Sequence, residues 1–198
     1  MKTIGIVIPT RWEAGVILRR FGFQRIGSAL YASRVLDTPV LLCLSGVGRP
    51  AGERAAERLV AHGANVLVSM GFCGALVMGL HVGDLVTHRI ATVDRPVRTP
   101  EERRELAART SAVAVDMETQ AIIEAGTRRG VPIRILRVVS DNVEDDLTPL
   151  FGRGPAFSPL LIFLHLLNPR SWALARRLAR QSAIAKGRLA EALLQACV

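Results

Sequence analysis

Apolar runs of strand length alternate along the chain with stretches of helical spacing, a pattern that predicts an α/β sheet protein. Ile4–Ile8 reads as a buried first strand, and Arg11–Phe21 carries Val16, Ile17, Leu18 and Phe21 at helix-like spacing. Leu30–Leu36 and Val40–Leu44 read as a hairpin pair around Asp37-Thr38-Pro39. Pro50 suits the first turn of a helix over Ala51–His62, which Gly63 ends. Asn65–Met70 is another buried strand, followed by a loop Gly71-Phe72-Cys73-Gly74; Leu85–Val93 supplies one or two more strands. Glu101–Ala108 reads as a short charged helix, Ala112–Val115 as a short strand, and Met117 to Arg129 as a helix closed by Gly130 and Pro132. Ile133–Val139 is the last buried strand and ends on Ser140-Asp141. A polar loop to about Ser158 and one or two helices complete a single domain over residues 1–198.

In an open α/β sheet, ligands bind beyond the carboxyl ends of the strands. Three strand ends here deliver carboxylates to that rim: Glu13 after Ile4–Ile8, Asp116 and Glu118 after Ala112–Val115, and Asp141 after Ile133–Val139. Each alone also fits a helix cap or a solvated loop. Two glycine turns, Ser45-Gly46-Val47-Gly48 and Gly71–Gly74, let backbone N–H groups approach a ligand, but neither matches a phosphate-binding fingerprint.

Composition narrows the field. With 49% hydrophobic residues the chain is globular, and no stretch reaches the roughly 18 apolar residues that span a bilayer. The start, MKTIGIVIPT, lacks the pattern of a signal peptide, so a cytoplasmic setting is expected. Cys43, Cys73 and Cys197 are odd in number and widely spaced, which offers neither a disulfide framework nor a zinc site. His62, His81, His88 and His165 lack metal-ligand spacing, so neither a metal nor another cofactor is expected. From Arg153 onward, seven Lys/Arg face the single acid Glu191, giving +6 of the net +9. Aromatics at 5% and the absence of a recognised motif argue against nucleic acid. The apolar run Pro159–Leu167 and the Leu/Arg-rich stretch Arg170–Leu194 leave two readings open: a peripheral membrane contact, or a helix that covers the sheet.

The segments IGIVIPTRWEA, LSGVGR, SMGFCGALVMGLHVGDLV, AVAVDMETQA and RVVSDN, in that order, resemble the superfamily of purine nucleoside phosphorylases and methylthioadenosine/S-adenosylhomocysteine nucleosidases. The resemblance runs from Ile4 to about Asn142. It implies a three-layer α/β/α sandwich with a mixed central sheet, and cleavage of the N-glycosidic bond of a purine (adenine) nucleoside. Residue by residue, it implies that Glu118 accepts hydrogen bonds from the ribose hydroxyls and that Met117 packs beneath the sugar. Asp141, beside Ser140, protonates the purine, and Glu13 positions or deprotonates the attacking water. Gly71, Phe72, Cys73 and Gly74 line the base and nucleophile side. Asp141 is expected to be partly desolvated, so that it can hold its proton. Homo-oligomerisation is implied as well.

Ser69 and Phe72 stand where hexameric phosphorylases of the superfamily carry an arginine and a serine that hold phosphate, and Glu13 favours water. Ser45, Gly46, Arg49 and Arg11 keep phosphate open as co-substrate. The run TVDRPV, AVAVDMET and the basic tail also resemble the hopanoid-associated phosphorylases, which implies a lipid-linked adenosyl substrate such as adenosylhopane. The chain also departs from the superfamily where Gly83-Asp84-Leu85-Val86-Thr87 runs almost directly into His88–Val93, so a segment that helps cover the base is missing, and Asp94-Arg95-Pro96 stands where nucleosidases carry an aromatic residue. That shortening keeps a second reading open, a nucleoside-binding or membrane-peripheral protein of the same fold with impaired turnover.

Overall fold

The computed structural model describes residues 2–35, 37–148 and 172–197. In chain order they form β1 (Ile4–Ile8), α1 (Arg11–Arg20), β2 (Gln24–Gly27), β3 (Leu30–Val35), β4 (Thr38–Leu44), α2 (Arg49–Ala61) and β5 (Val66–Ala75). There follow β6 (Leu85–Val86), β7 (Ile90–Thr92), α3 (Pro100–Thr110), β8 (Ala114–Asp116), α4 (Thr119–Arg128), β9 (Ile133–Asp141) and α5 (Trp172–Cys197).

The strands join one mixed sheet in the order β2-β3-β4-β1-β5-β8-β7, with β9 paired to β5 and β6. β1 lies parallel between β4 and β5, and all five of its residues are buried. A strand covered on both faces reads as an unbroken apolar run, which is why IGIVI was legible. α1 and α5 cover one face, where Ile17, Ala185, Leu189 and Leu193 pack with Ile6, Ile8, Met70, Leu136 and Val138. α2 and α4 cover the other, where Ala55, Leu59, Ile122 and Ala125 meet Val7 and Leu67. The expected three-layer sandwich is therefore present. Fully buried Leu189 and Leu193 contribute about 1.5–3 kcal/mol each.

The apolar stripe of the basic tail is thus used to cover the sheet over α5. The run Pro159–Leu167, with His165, lies outside the described residues. Among the described residues no helix is long and apolar enough to cross a membrane.

Two expectations need correction. Gln24–Gly27 forms an edge strand, antiparallel to β3, that the pattern did not reveal; three of its four residues are exposed, so it has no apolar alternation to read. Gly71–Gly74 is not a loop. It is the second half of β5, in register with β9 from Leu67 opposite Ile133 to Gly74 opposite Asp141, with a bulge at Cys73/Gly74. There β5 exchanges β1 for β8, so that Gly74 faces Val115. β5 thereby carries three strand ends into one place: the end of β1, the end of β8 and the end of β9.

Candidate active site

Glu13 is placed by the turn that leaves β1. Thr10 caps α1, its Oγ1 accepting from the Glu13 backbone N–H at 3.2 Å and donating to Glu13 Oε1 at 2.8 Å. The Phe72 N–H donates to Glu13 Oε2 at 2.9 Å, tying α1 to β5. Burial pushes the Glu13 carboxyl up to about 7, against the pull of those hydrogen bonds and of Arg137.

Asp116 ends β8 and accepts from the Thr119 N–H at 3.1 Å and from Thr119 Oγ1, at the first residue of α4. Thr92 Oγ1 donates to its other oxygen at 2.7 Å, fixing β7 beside it. Glu118 stands at the α4 N-terminus, where Oε1 accepts from the Gly48 N–H at 2.8 Å. Its carboxyl is raised by burial, with Arg137 opposing. Gly52 lets α2 approach here, since a Cβ would lie 3.1 Å from Glu118 Cβ.

Beneath these acids lies Arg137 of β9, with no exposed side-chain surface. Nε donates to Thr119 Oγ1 at 3.1 Å, Nη1 to Phe72 O and to Glu118, and Nη2 to Ser69 Oγ at 3.0 Å, while Nη2 also forms an ion pair with Asp116 at 2.9 Å. Each of its three guanidinium nitrogens is thus engaged within the protein. Sequence reasoning missed this residue, although an arginine inside the apolar run Ile133–Val139 is a signal: such a charge is buried only when paired.

The acids surround a cleft of about 200 Å3 lined by Pro9, Glu13, Val47, Phe72, Cys73, Gly74, Val115, Asp116, Met117, Glu118 and Ser140. Most of the expected substrate residues are therefore brought together. Gly71 lies directly behind them: a Cβ there would fall 2.6 Å from Glu13 Oε2 and 2.8 Å from Arg137 Nη1. Burial raises the Cys73 thiol, which keeps it protonated and unreactive.

Ser45, Gly46, Arg49 and Arg11 do not line the cleft. Arg49 pairs with Glu124 on the surface at 3.3 Å, and Arg11 is exposed in the first turn of α1. Ser69 is fully buried and accepts from Arg137.

Asp141 does not line the cleft itself but lies beside Gly74, which does, and a Cβ at Gly74 would fall 2.8 Å from its Oδ2. Ser140 Oγ donates to Oδ1 at 2.6 Å. The Asp141 side chain keeps 14% of its surface exposed, and the buried Arg103 of α3 reaches its Oδ2 at 2.5 Å. A larger groove of about 520 Å3 runs between β7 and α3, but its lining includes Arg89 and Arg109 and no carboxylate.

The sequence profile of the phosphorylase superfamily matches residues 3–89 and 87–151. The chain belongs to that superfamily. The two matched pieces meet at Thr87–Arg89, between β6 and β7. A uridine phosphorylase from Thermococcus kodakarensis is 31% identical over 129 residues, covering 65% of this chain; the chain matches 43% of that protein's length. An S-adenosylhomocysteine nucleosidase from Streptococcus pyogenes, solved with 5-methylthiotubericidin, superposes with a TM-score of 0.75 at 18% identity, covering 100% of this chain and 98% of its own. A mutant of the Helicobacter pylori 5′-methylthioadenosine/S-adenosylhomocysteine nucleosidase, with 5′-methylthioadenosine in its active site, superposes at 0.72 with 17% identity, covering 96% of each chain. These two likenesses show the fold.

Proposed function

We propose that the protein hydrolyses the N-glycosidic bond of a purine nucleoside, using water as the nucleophile. The observation that carries this reading is the composition of the cleft: three carboxylates line it, and no lysine or arginine does so among the described residues. Arg137 does not change this, since it does not line the cleft and each of its guanidinium nitrogens is engaged by a protein group. A phosphate dianion there would meet like charge with no cation to receive it, whereas water meets an acceptor.

Glu13 accepts the proton of the attacking water. With its carboxyl near 7, it is close to the pH at which a general base works best. Water oxygen bonds to C1′ as the C1′–N9 pair leaves with the base, and the base takes up a proton on the Asp141 side. Glu118 holds the 2′- and 3′-hydroxyls: one carboxylate offers about four lone-pair positions, of which Gly48 and Arg137 occupy two. Its charge also stabilises the oxocarbenium-like sugar. The cleft is smaller than the roughly 300–1,000 Å3 of typical ligand pockets, so it suits the sugar and the water and leaves the base near the open rim at Ser140. No described feature favours a lipid-linked substrate over a soluble one.

Incubation with adenosine, inosine, 5′-methylthioadenosine and S-adenosylhomocysteine, with and without phosphate, tests the reading by chromatography. Free base and free sugar in both conditions are expected. Base released only with phosphate would make the protein a phosphorylase, and binding without release would make it a nucleoside-binding protein.

A further inference from the structure

We propose that Arg103 is a positioning residue for the departure of the base, acting solely through Asp141; this rests on the hydrolase reading above. Arg103 comes from α3, an element that contributes no residue to the cleft lining, and it is 1% exposed. Its Nη1 donates to Ala75 O at 3.1 Å and its Nη2 to Asp141 Oδ2 at 2.5 Å. Gly74 makes room for the pair, since a Cβ there would lie 2.9 Å from Arg103 Nη1 and 2.8 Å from Asp141 Oδ2.

Docking of α3 does not require this arginine. A capping box between Thr99 and Glu102 fixes its start, and Leu106 anchors it against Leu76, Ala112 and Val115. A buried guanidinium carries a heavy desolvation penalty, and Arg103 Nε is left without a hydrogen-bond partner. An apolar side chain would serve packing better.

What the arginine supplies is a fixed positive charge on the far side of the aspartate. Oδ2 is held by Arg103, while Oδ1 stays beside Ser140, a residue that lines the cleft. When the C1′–N9 bond breaks, its electron pair goes to the base, and a proton on Asp141 passes to the base nitrogen. The carboxylate left behind is the species that the guanidinium stabilises. Solvent returns the proton to Asp141 after the base leaves. Arg103 therefore lowers the barrier for a leaving group that needs a proton and does nothing for one that leaves as a stable anion.

The test compares adenosine with 4-nitrophenyl β-D-ribofuranoside, whose leaving group needs no proton. Arg103→Met is expected to lower kcat on adenosine by about 10²-fold, the lower end for general acid catalysis, with KM little changed. On the nitrophenyl riboside it should change kcat by less than about 3-fold. Arg103→Lys should recover most of the adenosine rate, and Arg103→Met combined with Asp141→Asn should be no slower than Asp141→Asn alone. Equal losses on both substrates, or additive losses in the double variant, would overturn the proposal. If Arg103→Met does not fold, Arg103→Lys decides: a loss confined to adenosine supports the role, and an equal loss on both substrates removes it. A wild-type protein that cleaves neither substrate would instead refute the hydrolase reading itself.

Discussion

The sharpest quantitative consequence concerns Glu13. Its carboxyl is raised from 4.5 to about 7, chiefly by burial, so the folded state binds its proton more tightly than the unfolded chain does. The associated stability is fully present below pH 4.5 and is lost as pH rises through 7. A shift of that size corresponds to about 3 kcal/mol, most of which is lost between pH 5 and 8. Glu13→Gln removes the titration. Its amide can still accept from the Phe72 N–H and donate to Thr10 Oγ1, but one N–H is left over, at a cost of about 1–3 kcal/mol that is nearly independent of pH.

The quantity to read is therefore the pH dependence of the difference between the two proteins. Thermal melts at pH 5, 6, 7 and 8 should show wild type losing about 2–3 kcal/mol relative to Glu13→Gln across the range. For a chain of this length that is about 5–10 °C in Tm. Other carboxylates titrate in both proteins and largely cancel. Over the same range, kcat/KM of wild type should rise with a midpoint near 7, while Glu13→Gln should be about 10²–10⁴-fold slower throughout. Parallel melting curves would refute the burial argument. An acid limb near 4.5 with intact melts would show that Glu13 is not the group whose ionisation limits turnover.

Four further outcomes follow from the geometry. Arg137→Met leaves Asp116 and Glu118 buried without their cation and should cost about 3–5 kcal/mol in urea unfolding. Arg137→Lys should recover little of that, because an ammonium cannot reproduce the five-donor fork. Glu118→Gln should narrow the preference for adenosine over 2′-deoxyadenosine in kcat/KM by about tenfold, the weight of one charged hydrogen bond, with base release measured by chromatography. Gly71→Ala should lower kcat and stability together, measured by turnover and melting, because the new Cβ would lie 2.6 Å from Glu13 Oε2.

The legibility of this site followed physical lines. Glu13, Asp116, Glu118 and Asp141 could be found because the strands before them are apolar runs, and a parallel strand between two helical layers announces its own carboxyl end. Helix α3 could be located from its charge, yet nothing separates Arg103, buried against Asp141, from its neighbour Arg104, which is half exposed and pairs with Glu144. Their local sequence is the same, and the difference arises from a strand 38 residues away in the chain. Arg137 was better marked, since a charge in the middle of a strand buried on both faces must have partners close by.

The glycines at 71 and 74 show how a correct signal can be misassigned. Two glycines within four residues suggested a turn, but in a strand glycine also marks the place where other groups approach the backbone. Here the approaching groups are Glu13 and Arg137 at Gly71, and Asp141 and Arg103 at Gly74. β5 is stripped of side chains at the two points where the acids converge, so that a carboxylate and a guanidinium can share each gap. On this reading Gly74→Ala should disturb Asp141 and spare Glu13. Its kcat loss on adenosine should exceed its loss on the nitrophenyl riboside, whereas Gly71→Ala should slow both substrates alike. Reversal of that pattern would separate the glycines from the catalytic groups assigned to them.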